Sequence, residues 1–258
     1  MSGPVVVPQP VFQVQRAAER ATFDIGWLKT SHSFSFADYY DPRNVNWGAL
    51  RVLNDDRVAP GEGFGTHPHR DMEIVTYVIE GELEHRDSIG SHGVVGPGGV
   101  QYMSAGRGVR HSEFNHSHTD ALHFLQMWVQ PARLAGEPLY GEMAFEARQR
   151  QNRWLVIASG QAAVEAPVRL MQDATFMVSR LEDATLQHTL TLGRLAFLFI
   201  AEGNVAAEGT DTGGSRIGTS ELSTGDAIRI SGVNTLTLAG NGEVVLWDLP
   251  RLPDGAND

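Results

Sequence analysis

The chain has no cysteine among its 258 residues. Disulfides, zinc–thiolate sites and iron–sulfur clusters are excluded, so any bound metal must be held by nitrogen and oxygen. No run approaches the roughly 18 consecutive apolar residues that a membrane-spanning helix needs, and no membrane association is expected. Positive charge is scarce: 20 Lys and Arg stand against 31 Asp and Glu, a net charge of −11. Such a surface repels phosphate backbones, so direct nucleic-acid binding is not expected. Arg148, Arg150 and Arg153 are close in sequence, but beside a glutamine-rich turn they read as a solvated face. The start, Met1-Ser2-Gly3-Pro4-Val5, lacks a basic cluster followed by an apolar run. No secretory signal is therefore expected, and the cytoplasm is the expected compartment.

What the chain does have is short apolar runs punctuated by glycine and proline. Trp47–Val52, Met72–Ile79, Leu83–Arg86, Val109–Phe114, Leu122–Val129, Trp154–Ala158, Leu195–Ile200, Ala227–Ile230 and Val244–Trp247 read as strands. Turns such as Glu80-Gly81-Glu82, Pro97-Gly98-Gly99, Glu202-Gly203-Asn204 and Gly240-Asn241-Gly242 separate them. Many short strands with frequent turns predict sandwiches or barrels. The best helix candidate is Gly141–Gln151, following Pro131 and Pro138 in a polar stretch that reads as a connection.

An internal echo supports two related units. Ile79-Glu80-Gly81-Glu82-Leu83 resembles Ala201-Glu202-Gly203-Asn204-Val205, and the later Pro97-Gly98-Gly99-Val100-Gln101 is followed in the second half by Ser223-Thr224-Gly225-Asp226-Ala227. The expected division is an N-terminal unit over 1–133, a linker over 134–152 and a C-terminal unit over 153–258.

Chemistry concentrates in His67-Pro68-His69 and His111-Ser112-Glu113. In a strand, residues i and i+2 share a face, so each segment aims two metal-capable groups the same way. Three imidazoles and a carboxylate suit a divalent transition metal with positions left for small ligands. Anchored on the paired glycines, His67 and His69 fall on Thr189 and Thr191 in the second half, and His111 and Glu113 fall on Thr237 and Ala239. The second unit is therefore expected to lack a metal.

Gly61-x5-His67-x-His69-x3-Glu73 resembles the first cupin motif, and Pro97-x-Gly99 the start of the second. The usual histidine three residues later is replaced by Tyr102, with His111 downstream in its stead. That departure is the pattern of pirins. Three stretches carry the resemblance: Trp27 to Tyr40, Gly63 to His69, and Met103 to Glu113. They are similar above all to bacterial pirin-like quercetinases. The resemblance implies an all-β bicupin, two antiparallel β-barrels with a short helical connection and one metal in the first. It implies His67, His69, His111 and Glu113 as ligands. It also implies a dioxygenase that opens flavonols such as quercetin at the 2,3-bond with loss of carbon monoxide, the expected partners being a flavonol-like substrate and dioxygen. Other pirins act as regulators through protein partners, so a metal-binding, redox-sensing regulator is the alternative expectation.

Iron(II) is the expected ion; manganese, cobalt, nickel, copper or zinc suit the same donors. Three neutral imidazoles and one carboxylate around a divalent ion leave a single positive charge, which a flavonolate neutralises. Glu113 is the candidate base for the substrate hydroxyl. Glu73, at the usual cupin carboxylate position, shares parity with the histidines and is expected to support the metal ligands from behind or to sit in a salt bridge. His85 and Asp87 read as a polar hairpin pair, His32 as a packed histidine, and His92, His116 and His118 as exposed. Gln126 is a candidate to reach into the cavity beside the metal. Phe64, Met72, Met103, Met127 and Trp128 are candidates to line it.

Overall fold

A computed structural model describes residues 9–252. Among them the strands are β1 (Val11–Gln15), β2 (Ala21–Asp24), β3 (Leu28–His32), β4 (Leu50–Val58), β5 (Gly63–His69), β6 (Glu73–Glu80), β7 (Leu83–Asp87), β8 (His92–Val95), β9 (Val100–Ser104), β10 (Val109–Asn115), β11 (Leu122–Val129), β12 (Leu139–Met143), β13 (Leu155–Ser159), β14 (Val168–Arg169), β15 (Thr175–Thr189), β16 (Leu195–Thr210), β17 (Arg216–Ser223), β18 (Ala227–Ser231) and β19 (Thr235–Leu249). No helix among the described residues is long and apolar enough to cross a membrane.

The first unit stacks a seven-stranded sheet, β12-β9-β6-β11-β4-β3-β2, on a four-stranded one, β5-β10-β7-β8. The second unit is one sheet, β1-β18-β16-β19-β15-β13-β14, with β17 on β16. This is the expected all-β bicupin, with open sandwiches in place of closed barrels. Two strands depart from a simple division at 133 and 153. The edge strand β1, at the start of the chain, pairs with β18 of the second unit, Val11 facing Ser231. The edge strand β12 lies in the expected linker and pairs with β9 of the first, Tyr140 facing Met103. Each covers an edge that would otherwise leave backbone groups unpaired.

The helix expected over Gly141–Gln151 does not form. Its first third is β12, and only one 3-10 turn, Ala147–Gln149, follows. Gly141 is a poor helix former, and pairing with β9 satisfies its neighbours' backbone groups better than one isolated turn does. The turn is capped by Gln149, whose Oε1 accepts from the Glu146 N–H at 2.7 Å. The solvated arginine face is likewise only partly present. Arg148 is exposed, whereas the Arg150 side chain is largely buried and lies 3.4 Å from Glu243, which also receives Arg180 at 3.1 Å.

Alternation explains how the units join. On β11, Phe124, Gln126 and Trp128 face the space between the two sheets of the first unit, while Leu125, Met127 and Val129 face the second unit. There they meet Ile157, Phe176, Phe197 and Trp247 in one apolar core. Each fully buried side chain of this kind contributes about 1.5–3 kcal/mol, enough in sum to hold the units together. Trp247 Nε1 donates to Met127 Sδ at 3.1 Å within that core.

Glu73 sits at the same junction, completely buried. Its Oε1 accepts from Tyr102 Oη at 2.8 Å and from the Met171 N–H at 2.7 Å, and its Oε2 from the Gln172 N–H at 2.9 Å. Burial raises its pKa, and the three donors oppose the rise. Its parity with His67 and His69 is lost because Asp71, at φ 51°, breaks the strand between them and resets the facing. The supporting role beside the metal ligands, or in a salt bridge, expected of Glu73 is therefore not what the fold gives it; it ties the two units together through Tyr102 and the Met171 and Gln172 N–H groups.

Candidate metal centre

β5 and β10 pair antiparallel, with His67 opposite His111 and His69 opposite Val109. Along β10 the burial alternates, so His111, Glu113 and Asn115 point inward and Arg110 and Phe114 outward. A bulge falls between His111 and Glu113. Beside it stands Gly63, where a Cβ would lie 2.3 Å from the Glu113 carbonyl oxygen. Only glycine lets β5 close on β10 at that point.

The alternation brings three imidazoles together. Ring centroids lie 4.5 Å apart for His67 and His111, 4.7 Å for His67 and His69, and 4.8 Å for His69 and His111. Each offers a nitrogen within 4.8 Å of the others. Glu113 belongs to an adjoining group, with His85 and His111, of the same compactness. Among the described residues, every such group lies in the first unit.

Hydrogen bonds orient the rings. His67 Nδ1 lies 2.8 Å from the Gly65 carbonyl oxygen, so the proton belongs on Nδ1 and the lone pair on Nε2. His111 Nδ1 lies 3.2 Å from His85 Nδ1, and His85 Nε2 lies 3.1 Å from Asp87 Oδ2. With Asp87 ionised, protons order in one direction: His85 Nε2–H donates to Asp87, and His111 Nδ1–H donates to His85 Nδ1. His111 Nε2 is left as a free lone pair, and it is buried with no hydrogen-bond partner. An orphaned buried nitrogen amid two further imidazoles is what a metal would satisfy. Burial, then repulsion from neighbouring imidazoles, lowers the pKa of His69 to about 4 and that of His111 to about 3. Both rings are neutral donors at ordinary pH, as coordination requires.

Glu113 is held from the facing sheet. Gln101 Nε2 donates to its Oε1 and Gln126 Nε2 to its Oε2, both at 2.7 Å. Gln126 Oε1 in turn accepts from Trp128 Nε1 at 3.1 Å. Gln126 therefore reaches the cavity as expected, but to the carboxylate. The resulting donor set, nitrogen and oxygen without sulfur, fits a divalent transition ion.

His67 and His69 open, with Glu113, onto a cavity of about 380 Å³ lined by apolar groups including Phe23, Phe36, Phe64 and Trp128. Phe64 and Trp128 line it as expected. Met72 and Met103 instead pack with Ile74 and Val109 beside it, and Met127 faces the second unit. His92, His116 and His118 are exposed. His32 is packed between Phe23 and Phe36, at 5.3 and 5.2 Å.

The sequence reading missed the depth of His85 and Asp87. Far from forming a solvated hairpin pair, both side chains are fully buried. β7 lies beside β10, and Asp87 faces His111 in register. Tyr140, from the expected linker, covers His85 with its ring at 4.1 Å and nearly parallel, 14°. Shared parity of His85 and Asp87 was the one signal that could have found them. Nothing local announced Gln101 or Tyr140.

The family model Pirin matches residues 11–129, and the model described as the quercetinase C-terminal cupin domain matches residues 156–249. The chain is 38% identical over 240 residues to a protein of Escherichia coli K12 named quercetin 2,3-dioxygenase, covering 92% of this chain and 98% of that one. It is 39% identical over 226 residues to a pirin-like protein of Caulobacter vibrioides, covering 87% and 94%. The crystal structure of the bacterial pirin YhhW of Escherichia coli in complex with nickel(II) superposes with a TM-score of 0.82 at 36% identity, over 93% of this chain and all of that one. Matched in both halves and along nearly its whole length, this chain belongs to the pirin family.

Proposed function

We propose that the protein is a metal-dependent dioxygenase that cleaves flavonols such as quercetin at the 2,3-bond and releases carbon monoxide. The observation that carries this reading is the imidazole cluster of His67, His69 and His111, of which His67 and His69 stand with Glu113 at the wall of an apolar cavity of about 380 Å³, a size within the roughly 300–1,000 Å³ of small-molecule sites. The name of the Escherichia coli relative supports it.

His67, His69, His111 and Glu113 would hold one divalent ion, iron(II) in our reading. Bound there, the ion supplies Lewis acidity and one-electron chemistry toward dioxygen. The chain's own groups do the rest. Phe36, Phe64 and Trp128 take the flat rings and keep water away. Glu113 takes the proton of the substrate 3-hydroxyl, while Gln101 and Gln126 fix the direction in which its carboxylate points. Asp87 and His85 keep the lone pair of His111 aimed at the centre.

The test is anaerobic loading with defined metals, then oxygen uptake and carbon monoxide detection with quercetin. Glu113→Gln keeps the shape and removes the base. Turnover should fall by about 10²–10⁴-fold in samples whose metal content matches the wild type. Wild-type turnover in fully loaded Glu113→Gln protein would refute the base role alone. No oxygen uptake from wild-type protein in its iron, manganese, cobalt, nickel and copper forms would overturn the dioxygenase reading and leave the regulatory one.

A further inference from the structure

Four side chains outside the imidazole cluster bring polar atoms without a hydrogen-bond partner to the same cavity. They are Thr30 Oγ1, His32 Nδ1, Asn54 Oδ1 and Asp56 Oδ1, all on residues that are nearly fully buried. The fold explains why they converge. β3, β4 and β11 are adjacent, and His32, Asn54 and Gln126 share one cross-strand row while Thr30, Asp56 and Phe124 share the next. Alternation turns both rows toward the cavity and sends Leu53 and Leu125 to the opposite face. Gln126 spends its amide on Glu113 and Trp128. His32 Nδ1 and Asn54 Oδ1 find no partner, and Asp56 has only the Thr30 hydroxyl across the strand pair beside it, outside hydrogen-bonding geometry.

Unpaired buried polar atoms are destabilising, and apolar side chains of the same shape would avoid the penalty. Such groups persist where a ligand uses them. The chemistry of that ligand follows from the atoms. Asn54 Oδ1 only accepts. Burial, reinforced by the charges of Asp55 and Glu113 and opposed by the Thr30 hydroxyl, raises the Asp56 pKa to about 7. Near neutrality its carboxyl accepts as carboxylate and can also donate as acid. Burial and the charge of Arg20 lower the His32 pKa to about 4, so the ring is neutral. Around these groups stand Phe23, Phe36, Phe64 and Trp128. The ligand must have a flat apolar body with hydroxyl donors at its rim.

We propose that Asn54 and Asp56, with His32 beside them, form a hydroxyl-recognition subsite that selects polyhydroxylated aromatic substrates over the same skeleton without ring hydroxyls. This rests on the dioxygenase reading and deepens it. The imidazole cluster takes the reacting end of the molecule, and the wall of β3 and β4 reads the substituents.

Two variants test it, Asn54→Leu and Asp56→Leu, with Asp56→Asn as a volume-preserving third. Anaerobic titration of the metal-loaded proteins with quercetin and with 3-hydroxyflavone gives two dissociation constants for each. The wild type should prefer quercetin by about tenfold or more. In Asp56→Leu and Asn54→Leu the preference should fall toward one, because quercetin weakens while 3-hydroxyflavone is unchanged. Asp56→Asn should lose part of it. The metal-free leucine variants should melt at or above the wild-type temperature, since a structural role would make them melt lower. A preference kept in all three variants overturns the subsite, as does equal loss of both ligands together with a lower melting temperature; either result leaves the dioxygenase reading standing. If wild-type protein binds neither compound in any metal form, that reading falls and the subsite falls with it.

Discussion

The two halves run the same course of strands to different ends. In order and pairing, β6 and β7 of the first unit correspond to the two halves of β16, and β10 and β11 to the two halves of β19. In the second unit each of these is one strand, 16 and 15 residues long, bent at a bulge such as that between Ile200 and Glu202. In the first unit the same runs are cut by turns and distributed between two sheets. The uncut version closes on an apolar interior of Leu181, Val205, Leu236, Leu238 and their neighbours. The cut version leaves a cavity, and its inward positions carry His67, His111 and Glu113. Where His111 faces His67 and Asp87, the second unit has Leu236 facing His188 and Gly209, and where Glu113 faces His85 it has Leu238 facing Ala207. Strand continuity and polar filling go together: a gap between sheets must exist before charged or metal-binding side chains can be placed there without lasting desolvation.

The largest expected effect separates the halves outright. Wild-type protein should bind about one equivalent of divalent metal, and His67→Ala with His111→Ala should bind none, while Thr237→Ala in the second unit changes nothing. Elemental analysis after dialysis reads this. An equivalent surviving the double substitution would place the metal elsewhere and break the comparison.

A smaller effect sharpens it. If Asp87 and His85 order the proton on His111, Asp87→Asn removes the final acceptor without emptying the site. Metal affinity should drop by about 10–100-fold, measured by competition with a chelator of known affinity. Unchanged affinity would mean that the buried chain of Asp87, His85 and His111 is packing alone.

The smallest effect is in the pH dependence of the metal-free chain. His32, His69 and His111 titrate near 4, 4 and 3 when folded, against an ordinary 6.5. Between those values the unfolded chain binds protons that the folded chain refuses, so stability falls as the pH drops from 6.5 toward 4. Asp56 has the opposite sign: its folded pKa is about 7 against 3.8, so its contribution is present at low pH and lost as the pH rises through 7. With three groups against one, melting should be lower at pH 5 than at pH 7, and His32→Gln should reduce the difference. A larger difference in His32→Gln would contradict the assignment.

How much of this was legible in the sequence depends on the distance over which each feature is decided. His67-Pro68-His69 and His111-Ser112-Glu113 declare their facing through parity alone, and the structure brings the three histidines together. The same rule failed at Glu73 because one residue with positive φ, Asp71, intervenes. It failed again in the second half, where the glycine-anchored register chose Thr237 and Ala239, although the fully buried positions are Leu236 and Leu238. β1 was invisible because its partner, β18, lies at the other end of the chain. Gly141 and its neighbours looked helical because nothing local showed that the edge of β9 was waiting for them.

Glu73 and Tyr102 stand where the usual cupin pattern puts a carboxylate and a histidine for its metal, and here they bind each other and the backbone of the second unit. The two positions now work as a hinge pin. Restoring a histidine at 102 would remove the hydroxyl that pins Glu73, and freeing Glu73 for a metal would release the grip on Met171 and Gln172. Either change would loosen the seam between the halves, so the junction resists substitution at both positions. The second unit, in which no metal-holding group lies among the described residues, thus holds Glu73 and Tyr102 in their present pairing.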